Sequence, residues 1–255
     1  MQVIDAIILA VLEGFSEFLP ISSTGHLILA SRLLELSQTG FVKSFEIFIQ
    51  LGAIAAVAVL YWRRFLHKEF IAKVLVAFLP TGVIGFFLYP IVKGYFLGNQ
   101  TIVLWALFLG GVLLIFFELF FAKKMEVSPS LSISYRNAFL IGVCQSLAIV
   151  PGVSRSAATI VGGLFLGLER KTIVEFSFLL AVPTILAASG FDLIKTAGSF
   201  HSDEFLVLLC GFAVSFFVAL LAMRFLLAFI RRHTFIPFGV YRIALAVLFW
   251  WFIVA

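Results

Sequence analysis

Apolar stretches close to twenty residues long recur from one end of this chain to the other, and two further apolar regions are broken in the middle by proline, glycine and hydroxyl residues. A helix needs ~20 apolar residues to cross a bilayer core, and any backbone there must satisfy its own polar groups. The pattern therefore predicts an all-α integral membrane protein. Composition agrees: 63% of residues are hydrophobic, only 12% are charged, and mean hydropathy is +1.17, whereas soluble domains carry about 25% charged residues. No soluble domain of useful size fits, so residues 1–255 are expected to form a single polytopic membrane domain. The opening MQVIDAIILAVLEGF has no basic leader and carries Asp5 and Glu13, so it is expected to belong to the fold rather than to a cleaved signal.

Six segments are long and clean enough to cross: roughly 45–62, 72–90, 101–121, 173–193, 205–230 and 237–255. Residues 1–37 and 136–168 are interrupted, the first by Pro20, Ser22, Ser23 and Thr24, the second by Pro151, Gly152, Ser154, Arg155 and Ser156. Each arm is too short to span, which predicts two re-entrant helix-loop-helix segments. Each broken region is followed by three full spans, and SFEIFIQLGAIAAV is echoed by EFSFLLAVPTILAA, which suggests a duplication with repeat one at about 1–122 and repeat two at about 136–255. The broken motifs themselves match only with a one-residue shift. Three spans is an odd number, so the halves are expected in opposite orientations, an inverted-topology repeat that brings the broken tips together near the midplane. Following the chain, eleven Lys and Arg residues fall on one face, from Arg63 and Arg64 through Lys123, Lys124 and Arg170 to Arg231 and Arg232. Four fall on the other, Arg32, Lys43, Lys93 and Lys195. The bias predicts that the first face is cytoplasmic and both termini lie outside.

The first tip, EGFSEFLPISSTGH, places two carboxylates four residues apart, Glu13 and Glu17, on one helix face. Like charges in a dry site need neutralising, by a shared proton, by a divalent cation such as Mg²⁺ or Ca²⁺, or by an arginine; intramembrane carboxylates otherwise serve as bundle-holding hydrogen-bond partners. Pro20 ends the first arm, and Ser22, Ser23 or Thr24 can cap the second. Three hydroxyls beside His26 offer more than a cap: a hydroxyl nucleophile with a general base a few residues away. The second tip, PGVSRSAAT, offers Ser154 or Ser156 as cap and Arg155 as a guanidinium fork suited to phosphate, or else as an ion-pair partner of Glu13 or Glu17. Together the tips form a candidate phosphoryl site for a lipid phosphate or diphosphate.

Glu46, Gln50, Glu175, Asp192, Arg224 and Arg242 lie in or near spans and are read as packing or snorkelling side chains, and Glu118 as an interfacial partner of Lys123. Cys144 and Cys210 both sit in apolar segments and define neither a disulfide nor a metal site. The net charge of +5 comes without a dense basic cluster, so nucleic acid is not an expected partner.

EGFSEFLPISSTGH followed by PGVSRSAAT, with FEIFIQLGAIAAV, EFSFLLAVPTI and a late PFGVYR, resembles the undecaprenyl-diphosphate phosphatase, or bacitracin-resistance, family over nearly the whole chain. The resemblance implies an inner-membrane enzyme that removes the terminal phosphate of undecaprenyl diphosphate, regenerating the lipid carrier for peptidoglycan and other envelope polymers. It also implies bacitracin resistance, a divalent cation, a site on the outer, periplasm-facing side, and compatibility with a homodimer. By motif, Glu13 and Glu17 are its acidic, cation-holding pair, Ser22, Ser23 and His26 its serine-histidine motif, and Ser154, Arg155, Ser156 and Thr159 its arginine motif; the expected phosphate-binding set is Ser22, Thr24, Ser154, Arg155, Ser156 and Thr159. Where members commonly read SRSG, this chain has Ala157. The expected catalytic set is Glu13, Glu17, Ser23, His26 and Arg155, with Ser23 or a water attacking phosphorus and His26 exchanging the proton. The type-2 acid phosphatases share an SGH-like echo, but their second histidine falls here on Val161. A lipid transporter or flippase using the same inverted-repeat site is the alternative from another class.

Overall fold

The structure is a computed structural model that describes residues 1–37, 39–91, 95, 99–122, 130, 132–196 and 204–254; at 89–90, 122, 191–196 and 252–254 it describes the backbone alone. Ten α-helices are found among the described residues, with no β-strand. They are α1 Val3–Ser16, α2 Ser23–Leu33, α3 Gly40–Leu60, α4 Lys68–Ile91, α5 Gln100–Phe117, α6 Tyr135–Gln145, α7 Arg155–Phe165, α8 Arg170–Thr196, α9 Glu204–Phe229 and α10 Ile236–Val254. Five helices, α3, α4, α5, α8 and α9, are long and apolar enough to cross a membrane. The sixth expected span is α10, whose apolar stretch Ile236–Trp251 falls in a shorter class. Of the residues used for the charge bias, Lys93, Lys123 and Lys124 lie outside the described residues, as do the side chains of Lys195 and of Asp192.

Starts of helices follow local chemistry. Thr39, Asn99 and Ser134 cap α3, α5 and α6 by accepting from the backbone N–H of Val42, Ile102 and Asn137. The interrupted regions fold as two short helix pairs, α1 with α2 and α6 with α7. At ~1.5 Å per residue, the 14 and 11 residues of α1 and α2 each fall short of a ~30 Å bilayer core.

The two pairs are built alike. Ser22 and Ser154 both sit at positive φ, 71° and 73°, and each hydroxyl caps an 11-residue helix. Those helices end on Leu34 and Leu166, with φ of −82° and −83°, and each is followed by a positive-φ residue, Glu35 or Gly167. Every one of these equivalent positions is 132 residues apart. The register sets Pro20 opposite Gly152, so the one-residue shift noticed in sequence reflects only which tip residue is the proline. In α5 and α10 the spacing becomes 128, where GVLLI faces GVYRI. There a Cβ on Gly111 would lie 2.7 Å from the Gly239 carbonyl, and one on Gly239 would lie 2.8 Å from the Gly111 carbonyl. That reciprocity is what two helices crossing on a local two-fold require. The packing follows the same exchange: α1 lies on α9 as α6 lies on α4, while α3 packs on α8 and α5 on α10.

The core lies between α3, α8 and the first tip, where Phe18 meets Phe178 edge-to-face at 5.3 Å. Glu118, whose expected partner Lys123 lies outside the described residues, takes Arg170 in a two-pronged pair at 2.6 and 2.8 Å and accepts the Phe235 N–H. It thereby ties the ends of α5, α8 and α10 together. Arg64 and Glu175, 3.7 Å apart, set the end of α3 beside the start of α8, on the face where the basic residues collect.

Close helix approach predicts a stability contrast. A Cβ on Gly52 would lie 2.4 Å from the Phe212 carbonyl, whereas one on Gly190 would meet nothing within 4 Å. Thermal unfolding in detergent should show Gly52→Ala destabilised by about 1–3 kcal/mol and Gly190→Ala unchanged or up to about 1 kcal/mol more stable.

Candidate active site

The first residue of α2 is Ser23 and the first residue of α7 is Arg155, so the two short helices present their equivalent N-terminal side chains to one partner, Glu17. Glu17, which closes α1, reaches both. Its Oε2 accepts from Ser23 Oγ at 2.5 Å, and its Oε1 accepts from Arg155 Nη2 at 3.0 Å and Nε at 3.3 Å. The carboxylate and the guanidinium are each about nine-tenths buried. In such surroundings an ion pair persists only when its hydrogen bonds are completed. Arg155 completes its own by donating from Nη1 to the Ser177 carbonyl at 2.6 Å, with Ser177 Oγ at 3.4 Å. Ser177 Oγ in turn meets Thr159 Oγ1 at 2.6 Å.

Both sequence-predicted caps are the first serine of their motif. Ser22 Oγ accepts from the Gly25 N–H, and Ser154 Oγ accepts from the Ala157 N–H. Ser156, expected at phosphate, donates to the Leu19 carbonyl at 2.7 Å and lies 3.1 Å from Ser154 Oγ, so it links one tip to the other. Thr159 donates within its own helix, to the Arg155 or Ser156 carbonyl. Thr24 stands on the first turn of α2 and is partly exposed.

His26 departs from expectation. A base for Ser23 was read from its position three residues on, yet Nδ1 lies 2.7 Å from the Ser22 carbonyl and Nε2 lies 2.7 Å from the Tyr241 hydroxyl. A carbonyl only accepts, so Nδ1 carries a proton; in the neutral ring Nε2 then accepts from the Tyr241 hydroxyl. The carboxylate of Glu17, not His26, is the base in contact with Ser23.

Glu13 is fully buried, no donor reaches either carboxylate oxygen, and the carboxyl of Glu17 stands beside it. An orphaned buried carboxylate calls for a proton or a cation. Among the described residues no group of three or more His, Cys, Asp or Glu converges. A divalent ion here would draw on Glu13 and its neighbour Glu17 and complete its shell from substrate oxygens and water, the pattern usual for Mg²⁺.

The chain matches the family profile described as Bacitracin resistance protein BacA over residues 6–248. It is 51% identical over 251 residues to a protein of Sulfurihydrogenibium sp. named undecaprenyl-diphosphatase, covering 98% of this chain and 99% of that one. Proteins of the same name from Aquifex aeolicus and Persephonella marina are 48% and 49% identical, covering 96% and 99% of this chain and 96% and 100% of theirs. The chain belongs to the BacA family.

Within this BacA-family site, Tyr241 and Ser177 are the residues sequence reasoning passed over, and Arg242, expected to pack or snorkel, is buried and hydrogen-bonded to backbone carbonyls of both tips. An arginine inside an apolar helix was itself a signal, and Tyr241 and Arg242 close the quoted PFGVYR. The Glu17–Arg155 pair yields a test. Arg155→Met, which leaves the carboxylate buried and uncompensated, should cost roughly 3–5 kcal/mol of stability in detergent unfolding. Adding Glu17→Gln should recover more than half of that loss, and equal, additive losses would show that the two side chains act independently.

Proposed function

We propose that the chain hydrolyses undecaprenyl diphosphate to undecaprenyl phosphate and inorganic phosphate, with the site formed by the two tips. The observation that carries the reading is the Glu17 carboxylate joining Ser23 to Arg155, in a chain about half identical over its whole length to proteins named undecaprenyl-diphosphatase. In this reading the terminal phosphate enters between the tips and draws the Arg155 fork and the α7 N-terminus onto its oxygens. Ser23 Oγ attacks phosphorus as its proton passes to Glu17 Oε2, and the anhydride bond to the lipid monophosphate breaks. Water then attacks the phosphoserine, giving one proton to Ser23 Oγ as the serine–phosphorus bond breaks and keeping the other on the departing hydrogen phosphate, while Glu17 releases the proton it took to solvent. His26, held by the Ser22 carbonyl and Tyr241, fixes the start of α2 so that Ser23 keeps its line of attack.

Glu13 and Glu17 would hold a divalent cation, Mg²⁺ or Ca²⁺, which supplies charge stabilisation for the phosphate oxygens. Five membrane-length helices make the protein multi-pass. The family resemblance implies a site that opens to the outer, periplasmic side of the cell membrane. There the product would re-enter peptidoglycan and envelope synthesis, and depletion of the diphosphate would confer bacitracin resistance. The lipid-transporter alternative has no observation of its own in its favour.

The test is release of inorganic phosphate from a polyprenyl diphosphate by detergent-purified protein. Release should stop with a chelator and return with Mg²⁺ or Ca²⁺. Ser23→Ala and Arg155→Ala should each lower kcat by about 10²–10⁴-fold. Near-normal turnover by Ser23→Ala would make water the direct nucleophile, and no release by folded, lipid-binding wild type would overturn the reading.

A further inference from the structure

Among the described residues Arg242 is the largest fully buried side chain, and its guanidinium donates to five backbone carbonyls. Nη1 donates to the Pro20 carbonyl at 3.4 Å and to Val153 at 3.1 Å; Nη2 donates to Gly152 at 2.9 Å and to Ala106 at 3.0 Å; Nε donates to Leu107 at 3.3 Å. Pro20 and Gly152 are the equivalent residues of the two tips, 132 positions apart like Ser22 and Ser154. One planar fork therefore binds the same carbonyl of both broken helices and fastens both to α5.

Neither carbonyl belongs to a helix, so each needs a donor in a dry interior. Only an arginine has enough donors in fixed directions to serve both tips and α5 together. The space for it is made by Gly110, where a Cβ would lie within van der Waals overlap of the Arg242 guanidinium, 2.7 Å from Cζ.

We propose that Arg242 is a positioning residue that fixes the two tips relative to each other, so that Ser23 and Arg155 meet across Glu17. This rests on the phosphatase reading of the site for its kinetic consequence, but not for its structural one.

The experiment pairs steady-state phosphate release with amide hydrogen exchange of the two tip segments, for the full-length protein in detergent. Arg242→Met should raise exchange at both tips by at least about tenfold, leaving α9 unchanged, and lower kcat by about a hundredfold or more with KM within about threefold. Arg242→Lys, with fewer donors, should fall between Met and wild type on both measures. Gly110→Ala should reproduce the exchange increase without touching Arg242, and adding it to Arg242→Met should cost nothing further. Exchange that rises at neither tip or at one alone, or a Gly110→Ala variant indistinguishable from wild type, overturns the proposal. A raised KM with kcat intact also overturns it, because Arg242 would then be binding substrate. If Arg242→Met does not fold, Gly110→Ala and Arg242→Lys decide by the same readouts. If wild type releases no phosphate, the assigned reaction falls while exchange at the tips still decides the clamp.

Discussion

A carboxylate inside an apolar bundle must find partners or give up its charge, and Glu17 finds one on each side. Ser23 donates to one of its oxygens and Arg155 to the other. Those two residues stand at the same place in two equivalent helix pairs, each one step after a positive-φ serine cap. The pairing thus does two jobs. It joins the tips of the two halves across the interior, and it sets a hydroxyl beside a base with an anion-binding fork on the other side.

The two halves share a backbone and have diverged in chemistry. Ser23 in the first answers to Arg155 in the second, and Glu13 answers to Gln145, which donates to Thr81 and Thr184. We read the common spacing, the reciprocal approach of Gly111 and Gly239 and the exchanged helix contacts as the mark of an inverted duplication. In this reading one copy keeps the nucleophile and acids and the other supplies positive charge. A phosphoryl site needs both, and a two-fold arrangement brings one of each to the same point.

Much of this was legible because membranes impose length. The full spans showed as apolar runs, and the broken regions showed because Pro20 and Pro151 each come with a cluster of serines that leaves both flanking arms too short to span. Boundaries were less visible: α3 begins at Gly40 rather than near 45, since the Thr39 cap starts it among Lys43, Ser44 and Glu46, which a hydropathy reading trims away. The Arg155 ion pair was foreseeable from charge alone. The partner of Ser23 was not, because proximity in sequence pointed to His26, while the positive φ of Ser22 turns Ser23 toward Glu17 and leaves His26 to the Ser22 carbonyl. Tyr241 lies 215 residues from His26, and no local pattern could have joined them.

The central claim is that Ser23, with Glu17 as its base, forms the bond to phosphorus. The most direct measurement is mass spectrometry of peptides from the protein quenched in acid while it turns over a polyprenyl diphosphate. The account predicts a phosphate ester on Ser23 that appears within one turnover and is absent when substrate is withheld. A phosphate ester on another residue, or steady turnover with none on Ser23 under conditions that preserve phosphoserine, would contradict it.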